Sequence, residues 1–216
     1  MIQVTRAGAR VDARENELSE LGRRLRRDGF LKLPSFLEPA LLGWAQDFLD
    51  HARFRVSQIF SYGRREAPID QGLETALNFH LNDGDLLGAI GAIAGRPALS
   101  CNGKIRRHAA GRGHFLRWHD DLKGGDTTAT ISVNLNRVPF EGGLLEVKNV
   151  STGRVRSVAN LTPGDAVLIR VGPGIVHRNT PLKRGSPAKL TFTGAFFNYA
   201  VDLRGYGSPR RETVRA

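Results

Sequence analysis

Leucines at 18, 21 and 25 recur at the three-to-four-residue spacing of one helical face. Arg23, Arg24, Arg26 and Arg27 crowd the end of the same stretch, where positive charge suits the negative end of a helix dipole. The pattern predicts a helix over Glu15–Asp28, stopped by Gly29, after a loose start over residues 1–14 with room for a short strand. Phe30-Leu31-Lys32-Leu33 alternates as a strand does, and Pro34 closes it. A second helix follows over residues 38–52, with Leu41, Leu42, Trp44, Ala45, Phe48 and Leu49 as its core face. A third is predicted over residues 83–94, capped by Asp83 or Asp85. Between them, residues 53–82 interleave Phe60, Tyr62 and Phe79 with charges and read as strands or as a lid over a pocket.

From Pro97 onward the pattern changes. Short apolar runs separated by Gly, Pro and Asp follow one another at 99–108, 114–121, 127–136, 143–149, 154–158, 165–171, 174–178 and 188–199. Such spacing predicts a β-sandwich or barrel rather than alternating β-α units. The organisation is one structural domain: an N-terminal helical support region over 1–97, a β core over 98–200, and a C-terminal tail over 201–216.

Composition narrows the chemistry. With 216 residues there is enough chain to bury one sizeable core. The longest apolar stretch, 86–95, is far short of the ~20 residues a membrane span needs, and no signal-peptide core follows Met1, so a soluble, cytoplasmic protein is expected. The single cysteine, Cys101, allows no internal disulfide and no cysteine-rich metal site. Any metal must therefore rest on histidine and carboxylate. The 32 Lys and Arg against 21 Asp and Glu give a net charge of +11, which invites a nucleic-acid reading. The basic residues, mostly arginine, are scattered from Arg6 to Arg215, which favours a solvated surface over a nucleic-acid face.

Phe115-Leu116-Arg117-Trp118-His119-Asp120-Asp121 reads as a strand, and alternate residues of a strand share a face. His119 and Asp121 then point one way and Asp120 the other. Chance supplies roughly 0.3 His-x-Asp triplets in a chain of this composition, so the pair alone is weak. His177, at the end of a short strand after the Gly172-Pro173-Gly174 turn, turns the pair into a triad. Two imidazoles and one carboxylate on one face of octahedral iron leave three positions open for cosubstrate and O₂.

On these residues the chain resembles the 2-oxoglutarate- and Fe(II)-dependent oxygenases, particularly the prolyl-hydroxylase-like branch. The resemblance covers about residues 98–199. It rests on residues 113–121, on Phe140-Glu141-Gly142-Gly143-Leu144-Leu145, on Pro163-Gly164-Asp165-Ala166, and on His177-Arg178-Asn179-Thr180-Pro181 followed by Gly185. It implies a mainly β protein with N-terminal helices and a double-stranded β-helix core, a cupin-like jelly roll with the metal at its mouth. It further implies Fe(II), 2-oxoglutarate and O₂, with His119, Asp121 and His177 as catalytic metal ligands and succinate and CO₂ as coproducts. The intact Asp121 favours hydroxylation over halogenation, with desaturation and ring formation left open.

The family places a basic residue about ten positions after the second histidine to hold the distal carboxylate of 2-oxoglutarate. Here that position is Pro187, and Lys189 with Thr191 stands two residues on. The resemblance assigns them the role, with Arg184 and Arg178 as alternatives. It also points to His108 or Asn102, on the strand before the metal pair, as a further cosubstrate contact. Asn102, Lys104, Arg106 and His108 share one face of that strand, and Ser132, Asn134 and Asn136 share a face of another. Lys104, Arg106 and Arg117 offer contacts to an anionic substrate, and Trp118 and Phe115 border the metal pair. The leading expectation is hydroxylation of a small molecule. Hydroxylation of a protein residue or a nucleic-acid base, and a non-catalytic metal- or ligand-binding barrel, are the competing ones.

Overall fold

The structure, a computed structural model, describes residues 1–59, 63–122 and 125–200. Phe60 and Tyr62 of the expected lid, the 123–124 part of the loop after the metal pair, and the tail 201–216 lie outside the described residues. The N-terminal part holds a hairpin of β1 (Ile2–Thr5) and β2 (Gly8–Val11), then α1 (Glu15–Asp28), β3 (Phe30–Leu33) and α2 (Pro39–Asp50). A second hairpin, β4 (Phe54–Ile59) and β5 (Gly63–Pro68), precedes α3 (Gly72–Leu81) and α4 (Gly84–Ala94). The strands of the core are β6 (Ser100–His108), β7 (Phe115–His119), β8 (Thr127–Asn134), β9 (Leu145–Asn149), β10 (Val155–Val158), β11 (Ala166–Arg170), β12 (Ile175–Asn179) and β13 (Lys189–Phe197). Each apolar run singled out after Pro97 is one of these strands.

The strands form one curled antiparallel sheet in the order β10-β9-β12-β7-β5-β6-β13-β8-β11-β3, with β4 paired to β5. Curling divides it into a larger face, β6-β13-β8-β11-β3, and a smaller one, β10-β9-β12-β7, which is the double-stranded β-helix. The N-terminal region supplies more than helices. β3 extends the larger face, and β5 bridges the two faces by pairing Glu66 with Arg107 of β6 and Gly63 with Leu116 of β7. At the other seam, Arg156 of β10 donates to Asp28 at the end of α1, and the adjoining Gly29 lies against Val147 of β9.

Strand alternation gives the larger face two unlike surfaces. Cys101, Ile105, Ala129, Ile131, Val133, Leu168, Phe192 and Phe196 point outward into the main core, together with Leu25, Leu73, Leu77, Leu86, Ile90 and Ile93 of the helices. Gly103 is part of that packing: a Cβ there would stand 2.2 Å from the Phe192 ring. The other surface is polar along β6 and β13 and lines the barrel. It faces a smaller apolar cluster of Leu145, Val147, Val158, Val167, Ile169 and Ile175.

Two sequence expectations need correction. Trp44 is 37% exposed rather than part of the α2 core face, which Leu41, Ala45 and Leu49 supply. Residues 72–81 form a helix that no strong periodicity announces. Its N-cap, Gln71, makes no side-chain cap bond. What holds α3 is the edge of β6. Asn78 donates to the Gly103 carbonyl and accepts from its N–H, and Asn82 does the same for Cys101. Four helical residues rise about 6 Å and two strand residues about 6.8 Å, so amides at i and i+4 meet alternate strand positions. α4 carries the expected cap, with Asp83 accepting from the N–H groups of Asp85 and Leu86. Among the described residues no helix is long and apolar enough to cross a membrane.

Candidate metal and cosubstrate site

His119 ends β7 and His177 lies in the middle of β12, directly opposite one another in the ladder. Their ring centroids are 4.3 Å apart. The ladder slips just beyond: Asn179 pairs with Leu116, so β7 carries one extra residue between Leu116 and His119. This bulge lets Leu116 and His119 both face the barrel interior, which strict alternation over three residues forbids. Asp121, two residues past His119, closes the group. Its oxygens stand 3.9 Å from His119 Nε2 and 3.4 Å from His177 Nε2.

The ligand atoms of His119, Asp121 and His177 all lie within 4.8 Å of one another, the one such group among the described residues. Three facial donors about 2.1 Å from a single ion stand roughly 3 Å apart, so a small closure suits these side chains to a divalent metal. The protonation pattern also fits. His119 Nδ1 is 2.8 Å from the Arg117 carbonyl, which can only accept, so Nδ1 donates there and the ring is held with Nε2 toward Asp121. Burial pushes the His177 imidazole well below its ordinary pKa, against the opposing pull of Asp121, and keeps it neutral with a free lone pair. Asp120 is not one of the grouped ligands and accepts from the Leu122 N–H.

Deeper in the same barrel lies a second feature. Lys189, the first residue of β13, is buried with its ammonium 2.6 Å from the Gly143 carbonyl and 3.4 Å from Asn179 Oδ1. The Phe140 ring lies 5.6 Å away. Burial lowers its pKa to about 8. Gly143 holds φ near +59°, and a Cβ on it would press on Leu182 and on the Lys189 stem at 3.3 Å. His108 of β6 sits directly across the ladder from Lys189. Among the described residues neither of its buried ring nitrogens has a hydrogen-bond partner, and burial together with the Lys189 charge lowers its pKa to about 3. A narrow cleft opens here, lined by His108, His114, Gly143, Asn179 and Lys189 among others. A second lies on the other side of Lys189 against Thr191, Asn134, Phe140 and Val158.

No family model and no curated protein sequence matches the chain. Solved structures do. A Pseudomonas putida prolyl-4-hydroxylase is similar at 21% identity over 85% of this chain and 100% of its own, with a TM-score of 0.63. A Burkholderia pseudomallei oxidoreductase of the 2OG-Fe(II) oxygenase family shows 18% identity over 94% and 99%, TM-score 0.62. The nogalamycin-biosynthesis epimerase SnoN, solved with Fe³⁺, alpha-ketoglutarate and nogalamycin RO, shows 16% identity over 86% and 85%, TM-score 0.61. The fold is that of the 2-oxoglutarate/Fe(II) oxygenases.

The remaining residues singled out in the sequence divide sharply. Thr191 is buried, on the same face as Lys189 and opposite Arg106. Asn102 lies on the His108 face but opposite Ala195, six residues along β6, or about 20 Å from the Lys189 rung. Arg178 pairs with Glu146 and covers Trp118 at 4.6 Å on the outside of the barrel, so Trp118 does not border the metal pair from within. Arg184 is exposed in the loop before β13. The Asn134 and Asn136 amides, expected to await a ligand, are spent on the backbone of Leu161, Asn136, Ala188 and Leu190. The Gly143 carbonyl is the contact that residue-by-residue reading misses, because its role depends on a strand 46 residues away.

Proposed function

We propose that this chain is a non-haem Fe(II) oxygenase that uses 2-oxoglutarate and O₂ to hydroxylate a small molecule. The observation that carries the reading is a His-Asp-His donor set at the mouth of a double-stranded β-helix with a buried, anchored ammonium deeper in the same barrel. A 2-oxoglutarate molecule has two carboxylates with this separation of tasks: one end for a metal, the other for a cation. When Fe(II) and 2-oxoglutarate are bound, they supply oxidation of a substrate C–H bond coupled to decarboxylation of 2-oxoglutarate to succinate and CO₂.

In this reading His119 and His177 donate through neutral imidazole nitrogens and Asp121 supplies the one anionic ligand. Lys189 binds the distal carboxylate, held on its approach by Gly143 and Asn179. His108, kept neutral by burial, donates one hydrogen bond to that carboxylate, and the Thr191 hydroxyl supplies another. An ammonium gives the carboxylate less angular control than a guanidinium fork, and His108 and Thr191 restore it. Phe140, Leu145 and Val158 exclude water from the cosubstrate. The intact Asp121 supports hydroxylation. We place the protein in the cytoplasm.

The test is succinate formation by purified protein given Fe(II), 2-oxoglutarate and O₂, including the slow turnover expected without substrate. His119→Ala and Asp121→Ala are each expected to reduce it by at least about 100-fold. Undiminished succinate formation in both variants would remove the metal assignment.

A further inference from the structure

We propose that the substrate carries a carboxylate that pairs with Arg106, the cation next along the barrel from the cosubstrate anchor. The inference deepens the oxygenase reading and rests on it. Lys104, Arg106 and His108 alternate on the barrel face of β6, opposite Thr193, Thr191 and Lys189 of β13. The His108–Lys189 rung is taken by the cosubstrate, and the next rung presents Arg106.

The guanidinium is in an unusual position for so costly a charge. Among the described residues its buried Nε has no hydrogen-bond partner, and the guanidinium makes one marginal hydrogen bond, 3.5 Å from Nη1 to the Ile105 carbonyl. Among the described residues it makes no ion pair. Burial lowers its pKa, and the Glu74 carboxylate of α3 is the one group nearby that favours its charge. Glu74 is itself buried and raised by that burial, and it divides its attraction between Arg106 and Lys104. An arginine cannot shed its proton in a protein, so an incompletely matched guanidinium persists as a site for an anion.

Charge counting separates this group from the cosubstrate site. One carboxylate of 2-oxoglutarate is assigned to the metal and the other to Lys189, leaving Arg106 over. The fork of N–H donors matches the two oxygens of a carboxylate. A single guanidinium partly offset by Glu74 matches one negative charge better than the two of a phosphate.

The experiment is calorimetry with benzoate as the probe, benzamide as its uncharged counterpart and inorganic phosphate as the competing anion. It uses protein loaded with Mn(II) and saturating 2-oxoglutarate, repeated without either. Benzoate is expected to bind saturably in the millimolar range, benzamide at least about tenfold more weakly, and phosphate no better than benzamide. Arg106→Gln should abolish benzoate binding while leaving 2-oxoglutarate affinity within about twofold, and Arg106→Lys should retain weakened binding. Equal binding of benzoate and benzamide to the wild type overturns the proposal without recourse to any variant. So does benzoate binding that survives Arg106→Gln, and tighter binding of phosphate than benzoate overturns the carboxylate. A parallel loss of 2-oxoglutarate affinity in Arg106→Gln would move Arg106 into the cosubstrate site. Failure of the wild type to bind 2-oxoglutarate strikes the oxygenase reading, while the benzoate arm without cosubstrate still decides whether Arg106 is an anion site.

Discussion

Lys189 and His108 face each other across one rung of the barrel, and burial acts on both in the same direction with opposite consequences. Burial lowers the Lys189 pKa to about 8, so its charge, which the proposed function uses to hold the cosubstrate, is lost as pH rises through that value. 2-Oxoglutarate stays doubly charged over this range. The KM for it is therefore expected to climb above pH 8, approaching tenfold per unit, and Lys189→Arg should flatten the rise because arginine stays charged. A rise of equal steepness in both proteins would place the titration elsewhere. His108 has a folded pKa near 3 against an ordinary 6.5, so the unfolded chain binds the extra proton first. Its stabilising contribution is complete above about 6.5 and is lost as pH falls towards 3. Between pH 7 and 5 that amounts to about 2 kcal/mol, which His108→Leu should remove from the acid dependence of urea unfolding. The grouping of His119 with Asp121 was legible because His-x-Asp is a statement about neighbours in sequence, although Asp121 lies just past the end of β7 rather than on it. The carbonyl that holds Lys189 and the spent amides of Asn134 and Asn136 were not, because both depend on which backbone comes alongside.

At the level of elements, the eight strands after Pro97 announced themselves by apolar runs and turn residues, and α1, β3, α2 and α4 by periodicity and caps. α3 did not, since it owes its place to hydrogen bonds with β6 rather than to its own propensity. Asn78→Ala is expected to leave the Gly103 N–H and carbonyl unpaired in a buried edge, at a cost of about 2–3 kcal/mol in urea unfolding. A loss under 0.5 kcal/mol would mean that water satisfies that edge. The bulge in β7 was equally invisible. Residues 115–121 read as one strand, but β7 ends at His119 and Asp121 reaches the group from just beyond it, while only the register against β12 reveals that Leu116 shares the side of His119.

For the whole molecule, the jelly roll explains why the candidate metal ligands and the buried Lys189, far apart in sequence, meet along one interior. His119 and His177 come from paired strands of the smaller face, while Lys189 and His108 come from paired strands of the larger one. β5 joins the two faces between them, a role no local pattern in residues 63–68 discloses. The central claim is that metal and 2-oxoglutarate share this interior. Calorimetric titration of 2-oxoglutarate into the protein with and without Mn(II) tests it most directly. One equivalent should bind when Mn(II) is present and far more weakly without it. Asp121→Ala should abolish the metal dependence, and Lys189→Met should weaken binding at least about 30-fold, the cost of removing one partner of a buried charge pair. Absence of binding with Mn(II) present, or binding indifferent to both substitutions, would contradict the account.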